Sequence, residues 1–348
     1  MKILWLGDFY YDYDSVSEDI KEIKKYIDDN NLKTILNLEG PICTKSENEK
    51  IEKRGPNLAS NKEAIIALKE LRTIAVCLSN NHMMDFGEYG LNETINILNE
   101  SNIDYFGAGK NINQATNGIK LDEKYYIISF GWNIEETVYA DKNNAGCAPR
   151  EKDIILNRVK ELAKDNKKVI VCLHWGFEYN RYPMPVDIEL AHSIIDNGAE
   201  MIIGHHSHCV QPFEIYKNKK IYYSLGNFYF SGKRKTFDKK FNEKIKNQSD
   251  YGIGVIWDTE KNNTKEIMVK YNKADDNSYI IKNVDKDILK DITNINYNSK
   301  DYYKLAKRNK NNSTPILTNN KNKNNKKIKR LYERYKIKKI IKNILGRK

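Results

Sequence analysis

Short apolar runs alternate with longer amphipathic segments over the first two hundred residues. The runs are rich in Ile, Val and Leu, which favours buried strands at residues 3–6, 34–38, 74–78, 125–130, 169–173 and 201–203. The segments between them repeat apolar residues every three or four positions, which predicts helices at residues 16–27, 62–71, 91–99, 154–163 and 188–195. Ser15 and Ser60 are the expected N-caps of the first two helices. This alternation predicts an α/β layered fold.

The pattern changes after residue 204. Residues 213–216, 221–225, 252–257 and 265–271 alternate or form short apolar runs, which predicts antiparallel strands, with a turn at residues 217–220. Residues 296–327 are dominated by Asn, Lys, Ser and Tyr and predict a polar linker. We therefore expect one domain over residues 1–295, the linker over residues 296–327 and a basic tail over residues 328–348.

The net charge of +12 is confined to the end of the chain. Residues 321–348 contain thirteen Lys or Arg residues and one acid, Glu333, so the rest of the chain is neutral. Within residues 326–345, apolar residues recur mainly every three or four positions between basic ones, which predicts a basic amphipathic helix. Such a helix favours an anionic membrane surface as its partner. A solvated tail is the first alternative, and a nucleic-acid contact is the less favoured one.

Cysteine usage and hydropathy indicate the compartment. The five cysteines are odd in number and scattered without a C-x-x-C pair, which favours reduced thiols. The start of the chain lacks the pattern of a signal peptide, and no run approaches the ~18 apolar residues of a membrane span. We expect a cytoplasmic protein, held peripherally at the inner face of the membrane by its tail.

Polar residues that can bind metals follow the predicted strands. In an open α/β sheet, ligands bind beyond the carboxyl ends of the strands, so these side chains should meet at one edge. They are Asp8, Glu39, Asn81, His82, His174, His206 and His208.

Carboxylate, amide and imidazole ligands suit divalent Mn, Fe or Zn. They are too many for one tetrahedral zinc ion, so a pair of metals fits better. Metal pairs of this kind polarise phosphoryl oxygens and activate water at neutral pH.

A set of motifs in a fixed order resembles a known family. The motifs are Asp8, Asn37-Leu-Glu-Gly-Pro41, Asn80-Asn-His-x-x-Asp-x-Gly87, His174-Trp-Gly-x-Glu178, Gly204-His-His-x-His208 and Tyr223-Ser-Leu-Gly-Asn-Phe228. Over about residues 1–275 the chain resembles the poly-gamma-glutamate capsule biosynthesis (CapA-type) proteins, which are similar to calcineurin-like metallophosphoesterases. The resemblance implies a four-layer αββα sandwich with mixed sheets. It also implies a metal-dependent, phosphoesterase-like role in the synthesis of a capsule or another surface polymer, with an anionic polymer or a phosphoester as substrate.

The resemblance also implies roles for single residues. Asp8 and His208 would bind a first metal, and Glu39 would bridge both metals. Asn81, His174 and His206 would bind the second metal, and His82 would act as general acid or stabilise the transition state.

The neighbouring polar residues are expected to orient ligands or contact substrate. They are Asn37, Asn80, Asp85, Glu178, His205 and Asn227. For Asp85 and Asn227 a purely structural turn is an equally good interpretation, and a structural role is favoured for His205.

Two positions depart from the wider superfamily. Tyr10 stands where a metal-binding His is usual, and Glu39 stands where the bridging residue is usually Asp. These departures keep a second hypothesis open, a non-hydrolytic accessory factor that binds an anionic polymer or its synthase or export machinery. A peptide or amide hydrolase is a third and weaker hypothesis, because a metal-activated hydroxide also attacks carbonyl groups.

Overall fold

Two mixed β-sheets face each other and carry helices on their outer faces. The computed structural model describes residues 1–15, 18–53, 55–132, 137–230, 251–272 and 278–310. The strands are β1 Lys2–Tyr10, β2 Lys33–Leu38, β3 Thr73–Cys77, β4 Asp104–Phe106, β5 Ala108–Gly109, β6 Ile119–Lys120, β7 Tyr125–Gly131, β8 Gly146–Cys147, β9 Lys168–His174, β10 Ala199–His205, β11 Phe213–Tyr216, β12 Lys219–Tyr222, β13 Asn227–Phe230, β14 Tyr251–Asp258, β15 Asn263–Asn272 and β16 Ser278–Asn283. The helices are α1 Glu18–Asp29, α2 Glu63–Glu70, α3 Gly87–Glu100, α4 Ile112–Asn117, α5 Lys152–Lys164, α6 Pro185–Asp196 and α7 Lys300–Lys310.

The first sheet has the strand order β16-β15-β14-β1-β2-β3-β4, and β13 also pairs with β1. Strands β1 to β4 are parallel, whereas β14, β15 and β16 are antiparallel. The second sheet has the order β11-β12-β10-β9-β7-β6, with four parallel strands between two antiparallel edge strands. Both sheets are therefore mixed, as the resemblance implied.

Alternation along each strand divides the core into three layers. In β1, Ile3 and Trp5 pack between the two sheets, whereas Leu4 and Leu6 point to the outer face and pack with α1, α2 and α3. In β9, Ile170 lies between the sheets and Val171 faces the side of α5 and α6. Since side chains of a strand alternate between its two faces, strands of this composition bury both faces of each sheet. The result is a four-layer αββα sandwich, and the predicted fold class is confirmed.

The strand predictions are confirmed, but one cap prediction was wrong. The helix α2 is preceded by Lys62, whose side chain makes no capping hydrogen bond. Ser60 instead accepts a hydrogen bond at Oγ from the backbone N–H of Tyr11, at 3.1 Å. Its hydroxyl therefore fixes the chain after β1 and does not begin the helix.

The segment predicted to be a linker contains a packed helix. In α7, Tyr302 is 4% exposed and Ala306 is fully buried, and the Tyr302 hydroxyl donates to the Pro183 carbonyl at 3.0 Å. The abundance of Asn and Lys hid two apolar positions four residues apart, which is the spacing of one helix face. The packed part of the chain thus continues past the predicted boundary at residue 295, while residues 311–327 and the tail over residues 328–348 lie outside the described residues.

Within the described ranges, every helix is too short or too polar to cross a membrane.

Close backbone packing at two glycines sets the strand ends in place. A Cβ atom at Gly204 would lie 2.0 Å from the carbonyl oxygen of Tyr223 and 2.7 Å from Nε1 of Trp175. A Cβ atom at Gly7 would lie 1.9 Å from the carbonyl oxygen of Gly226. Gly204 directly precedes the histidine cluster, and Gly7 directly precedes Asp8, so both glycines allow neighbouring segments to approach beside candidate ligands.

The substitution Gly204→Ala should therefore destabilise the protein strongly. The added methyl group meets backbone atoms that cannot move aside, so we expect the free energy of unfolding to fall by about 3 kcal/mol. Chemical denaturation followed by circular dichroism measures this change. The control is Gly55→Ala, whose Cβ would meet its nearest atom, Cε of Lys53, at 3.7 Å. We expect that control to stay within about 0.5 kcal/mol of the parent, and equal stability of both variants would contradict the packing argument.

Candidate metal centre

The carboxyl ends of strands from both sheets meet at one buried edge. In the first sheet, Asp8 of β1 is paired in register with Asn37 of β2 and with Asn227 of β13. In the second sheet, His174 of β9 lies opposite His205 of β10. Parallel strands end at the same edge of a sheet, so the fold itself brings these polar side chains together.

One cluster joins Asp8, Glu39 and His208, whose potential ligand atoms lie within 4.8 Å of one another. His208 Nδ1 is 3.5 Å from Asp8 Oδ2, and His208 Nε2 is 3.4 Å from Glu39 Oε1. All three side chains are buried. Two carboxylates and an imidazole at these separations form a ligand set for one divalent cation.

A second cluster joins Asn81, His174 and His206. His174 Nε2 is 2.8 Å from Asn81 Oδ1, and the rings of His174 and His206 have centroids 4.6 Å apart. His206 and His208 both have positive φ angles, of 91° and 53°. This backbone conformation is unusual for residues other than glycine and bends the loop after β10 across the edge of the sheet.

The charges in the two clusters favour cation binding. Burial is the main cause that lowers the pKa of His174 well below its usual value and that of His206 to about 3. Both imidazoles are therefore neutral at physiological pH, the form that binds metals. The burial of Asp8 would raise its pKa, but the contacts with His205, His208 and Asn37 outweigh burial and lower it.

Glu39 provides the clearest test of whether a metal fits. Neither oxygen of its buried carboxylate has a hydrogen-bond partner among the described residues. Burial first, and then the charges of Asp8 and Glu178, raise its pKa well above the usual value. Both ring nitrogens of His206 are buried without a partner in the same part of the structure. Unsatisfied buried groups of this kind are costly, and divalent cations would satisfy them, so the residues fit a metal centre.

His82 forms a separate unit with Asp85 and Lys53. His82 Nδ1 is 2.6 Å from Asp85 Oδ2, and Lys53 Nζ is 2.6 Å from Asp85 Oδ1 and 3.2 Å from His82 Nδ1. Burial is the main cause that lowers the pKa of His82. Asp85 thus contacts the candidate acid directly, which favours the orienting role over a turn residue.

The remaining predicted residues differ in how directly they contact ligands. Asn37 donates to Asp8 Oδ1 at 2.9 Å, and Asn227 Oδ1 lies 2.9 Å from His208 Nδ1. Asn80 accepts at Oδ1 from the backbone N–H of His82 at 3.2 Å.

His205 and Glu178 act at longer range. His205 Nδ1 lies 3.4 Å from Asp8 Oδ1. Glu178 is half-buried and is close enough for its charge to raise the pKa of Glu39.

Tyr10 packs against other aromatic rings. Its ring centroid is 5.2 Å from that of Phe230, which lies 5.1 Å from that of His208. The Tyr10 hydroxyl donates to Asp12 at 3.2 Å, and burial with the Asp12 charge raises its pKa. A phenol held protonated in this way is a poor metal ligand, so Tyr10 does not replace the missing imidazole.

Lys53 is the residue of the site that sequence reasoning missed. It lies between predicted elements, and a lysine in a polar loop normally indicates a solvated side chain. Its side chain is only 2% exposed. The nearby Gly55-Pro56 pair indicates a turn but gives no information about burial.

Comparisons with known proteins agree with the motifs. The model of the bacterial capsule synthesis protein family PGA_cap matches residues 5–232. The capsule biosynthesis protein CapA of Bacillus anthracis is 34% identical over 207 residues, which cover 56% of this chain and 49% of the relative. A probable polyglutamine synthesis accessory protein of Mycobacterium tuberculosis is 28% identical over 207 residues, 56% of this chain and 54% of the relative. The chain thus spans about half the length of these relatives.

Among solved structures, the protein TT1561 of Thermus thermophilus aligns with a TM-score of 0.41 at 14% identity, covering 76% of this chain and 97% of that chain.

The substitution Glu39→Gln should stabilise the metal-free protein. Because the folded-state pKa of Glu39 lies above its unfolded value, its cost is absent at about pH 4 and below and grows as the pH rises through the folded pKa. We expect the free energy of unfolding at pH 8, measured with chelator by denaturation, to rise by about 1–3 kcal/mol. The gain should shrink toward pH 4.

The exposed helix-end substitution Glu100→Gln is the matched control, and we expect it to change stability by less than about 0.5 kcal/mol. A loss of stability in Glu39→Gln at pH 8 would show that the carboxylate has a favourable partner in the metal-free protein.

Proposed function

Because the chain belongs to the bacterial capsule synthesis protein family, we propose that it is a metal-dependent, phosphoesterase-like protein that acts in the synthesis of a capsule or another cell-surface polymer. The proposal depends on one observation, the meeting of two ligand clusters at a single buried edge. The clusters are Asp8, Glu39 and His208, and Asn81, His174 and His206.

Each cluster would hold one divalent cation, Mn, Fe or Zn, with Glu39 as the ligand that the family resemblance assigns to both. When bound, two such cations would supply the positive charge that polarises a phosphoryl oxygen and activates water. The carboxylates of Asp8 and Glu39 are buried at the edge where the sheets meet, and neutral imidazoles complete the ligand sets. The protein would thus provide a ligand arrangement fixed by both sheets.

His82 would supply the proton for the leaving group. When water adds to phosphorus and the ester bond breaks, the leaving oxygen gains negative charge and takes a proton from His82 Nε2. Asp85 contacts the other ring nitrogen, Nδ1, which leaves Nε2 for this task. The substrate would be a phosphoester, alone or within an anionic polymer of the poly-gamma-glutamate or polysaccharide kind.

A second candidate is a non-hydrolytic accessory factor that binds the anionic polymer or its synthase or export machinery. The packing of Tyr10 favours it, because the first cluster lacks one imidazole that hydrolytic relatives in the superfamily usually have. One relative is itself described as a probable polyglutamine synthesis accessory protein.

Metal content separates the two candidates. Protein purified without chelator should contain about two equivalents of Mn, Fe or Zn by elemental analysis and should hydrolyse phosphoesters. The double substitution His206→Ala/His208→Ala should lose both the metal and the activity, since it removes a ligand from each cluster.

As a control, His82→Ala should keep the metal and lower kcat by about 10²- to 10⁴-fold, the usual range for a lost general acid. One equivalent of metal would indicate that the first cluster is weakened at Tyr10. No metal after reconstitution would exclude the hydrolase and favour the accessory factor.

We also propose that the protein is cytoplasmic and that its basic tail holds it at the anionic inner face of the membrane. Residues 321–348 carry the whole excess of positive charge. Each basic residue near such a surface contributes about 1 kcal/mol.

Deleting residues 321–348 should therefore release the protein from anionic vesicles in a sedimentation assay. Vesicles of zwitterionic lipid are the control, and we expect weak binding to them with or without the tail. Equal binding of both proteins to anionic vesicles would rule out the tail as the membrane contact.

A further inference from the structure

Lys53 is a buried cation that makes all its contacts beside the candidate acid. Its side chain is 2% exposed, and Nζ lies 2.6 Å from Asp85 Oδ1, 3.2 Å from His82 Nδ1 and 3.2 Å from the carbonyl oxygen of Asn81. Burying an ammonium group and a carboxylate together costs several kcal/mol of desolvation for each ion. A solvated lysine would avoid that cost, so the pair calls for an explanation other than stability.

Asp85 is the point at which the segment over residues 51–58 attaches to the site. Besides Lys53, its side chain accepts from the backbone N–H of Leu58 at 2.7 Å and contacts His82 Nδ1 at 2.6 Å. Its backbone carbonyl accepts from the N–H of Ile51 at 3.0 Å and from the side-chain amide of Asn57 at 3.0 Å. The segment therefore surrounds Asp85 with donors, and Lys53 is the only charged donor that these contacts include.

This arrangement leaves Asp85 one orientation. Oδ1 is held by Lys53, so Oδ2 must face Leu58 and His82. A charge-assisted bond to a fixed carboxylate holds an imidazole in one tautomer and one ring orientation, with the second nitrogen directed elsewhere. Without Lys53, the carboxylate would lose its charge partner and could rotate away from the ring.

We propose that Lys53 is a positioning residue for His82 and acts through Asp85. The proposal rests on the proposed function, because it assigns Lys53 to the proton transfer from His82. Lys53 itself is too deeply buried to touch a substrate.

The first test compares leaving groups. In the metal-loaded protein, Lys53→Met should lower kcat by about 10- to 100-fold for alkyl phosphoesters, whose leaving oxygens need a proton. The kcat for para-nitrophenyl esters should stay close to wild type, because that leaving group departs without a proton. KM should change little for either substrate, and Lys53→Arg should restore much of the lost kcat. An equal loss for both substrates would indicate a general structural defect and would overturn the proposal.

The matched control is Lys50→Met in the same region. Lys50 pairs with Glu47 at the surface, at 3.0 Å, and does not contact Asp85 in any bond described above. It should leave both substrates unaffected, and a selective loss of kcat in this control would also overturn the assignment to Lys53.

The second test needs no activity. In metal-free protein with labelled histidines, the Nδ1 proton of His82 should appear as a slowly exchanging, far-downfield NMR signal because it is bonded to Asp85. The signal should persist in Lys53→Arg and Lys50→Met and should disappear or broaden in Lys53→Met. An unchanged signal in Lys53→Met, or no such signal in wild type, would overturn the proposal.

A third variant covers the case in which Lys53→Met does not fold, since it leaves Asp85 as an unpaired buried charge. The double variant Lys53→Met/Asp85→Asn removes both charges. If Lys53 acts through Asp85, the double variant loses no more kcat than Asp85→Asn alone, whereas additive losses would contradict the proposal. If wild type hydrolyses no phosphoester, the proposed function fails, and the NMR signal still decides the role of Lys53.

Discussion

The carboxylate of Asp8 is the contact on which both halves of the site depend. It accepts from the Asn37 side chain in the first sheet and from the backbone N–H of His206, 3.2 Å away, in the loop that follows the second sheet. His205 and His208 lie within 3.5 Å of the same carboxylate. One buried anion thus fixes the distance between the strand ends of two separate sheets. Since buried charges are stable only when they are paired and hydrogen-bonded, the polar edge cannot open without leaving that charge unpaired.

The same edge contains groups that oppose folding. Glu39 and His206 keep buried polar atoms without partners in the described structure, while Asp8 is fully engaged. A packed core normally satisfies such atoms, and each unsatisfied one costs about 1–3 kcal/mol. The surrounding layers must offset that cost, and three apolar clusters on the faces of the two sheets do so. Stability and function are therefore assigned to different layers of the sandwich, with the apolar faces supporting an edge that is strained in the absence of cations.

The sequence predicted the parts of this structure that depend on local pattern. The buried runs that end in Asp8, Glu39, Asn81, His174 and His206 gave the strands, and the rule that ligands gather at carboxyl ends placed the residues together. The parts that failed depend on distant contacts. Ser60 bonds to Tyr11 across 49 positions, and α7 is packed by Tyr302 reaching Pro183 across 119 positions. Lys53 is the clearest case, because its residue type favours solvent and only the fold shows that Asp85 lies beside it. Composition describes average surroundings, whereas these three residues have exceptional ones.

The two clusters differ in a way that follows from residue 10. The second cluster has two imidazoles and an amide, whereas the first has one imidazole and two carboxylates, because Tyr10 packs on Phe230 and bonds to Asp12. Carboxylate-rich sites bind hard cations, and imidazole-rich sites favour softer ones such as Zn. The two positions would therefore differ in both affinity and metal preference, even though they share an edge. Glu39, which lies 3.4 Å from His208 and belongs to the carboxylate-rich cluster, would then be the residue through which occupancy of one position changes the other. An asymmetric pair of this kind depends less on the number of ligands than on which strand end supplies a nitrogen and which supplies an oxygen.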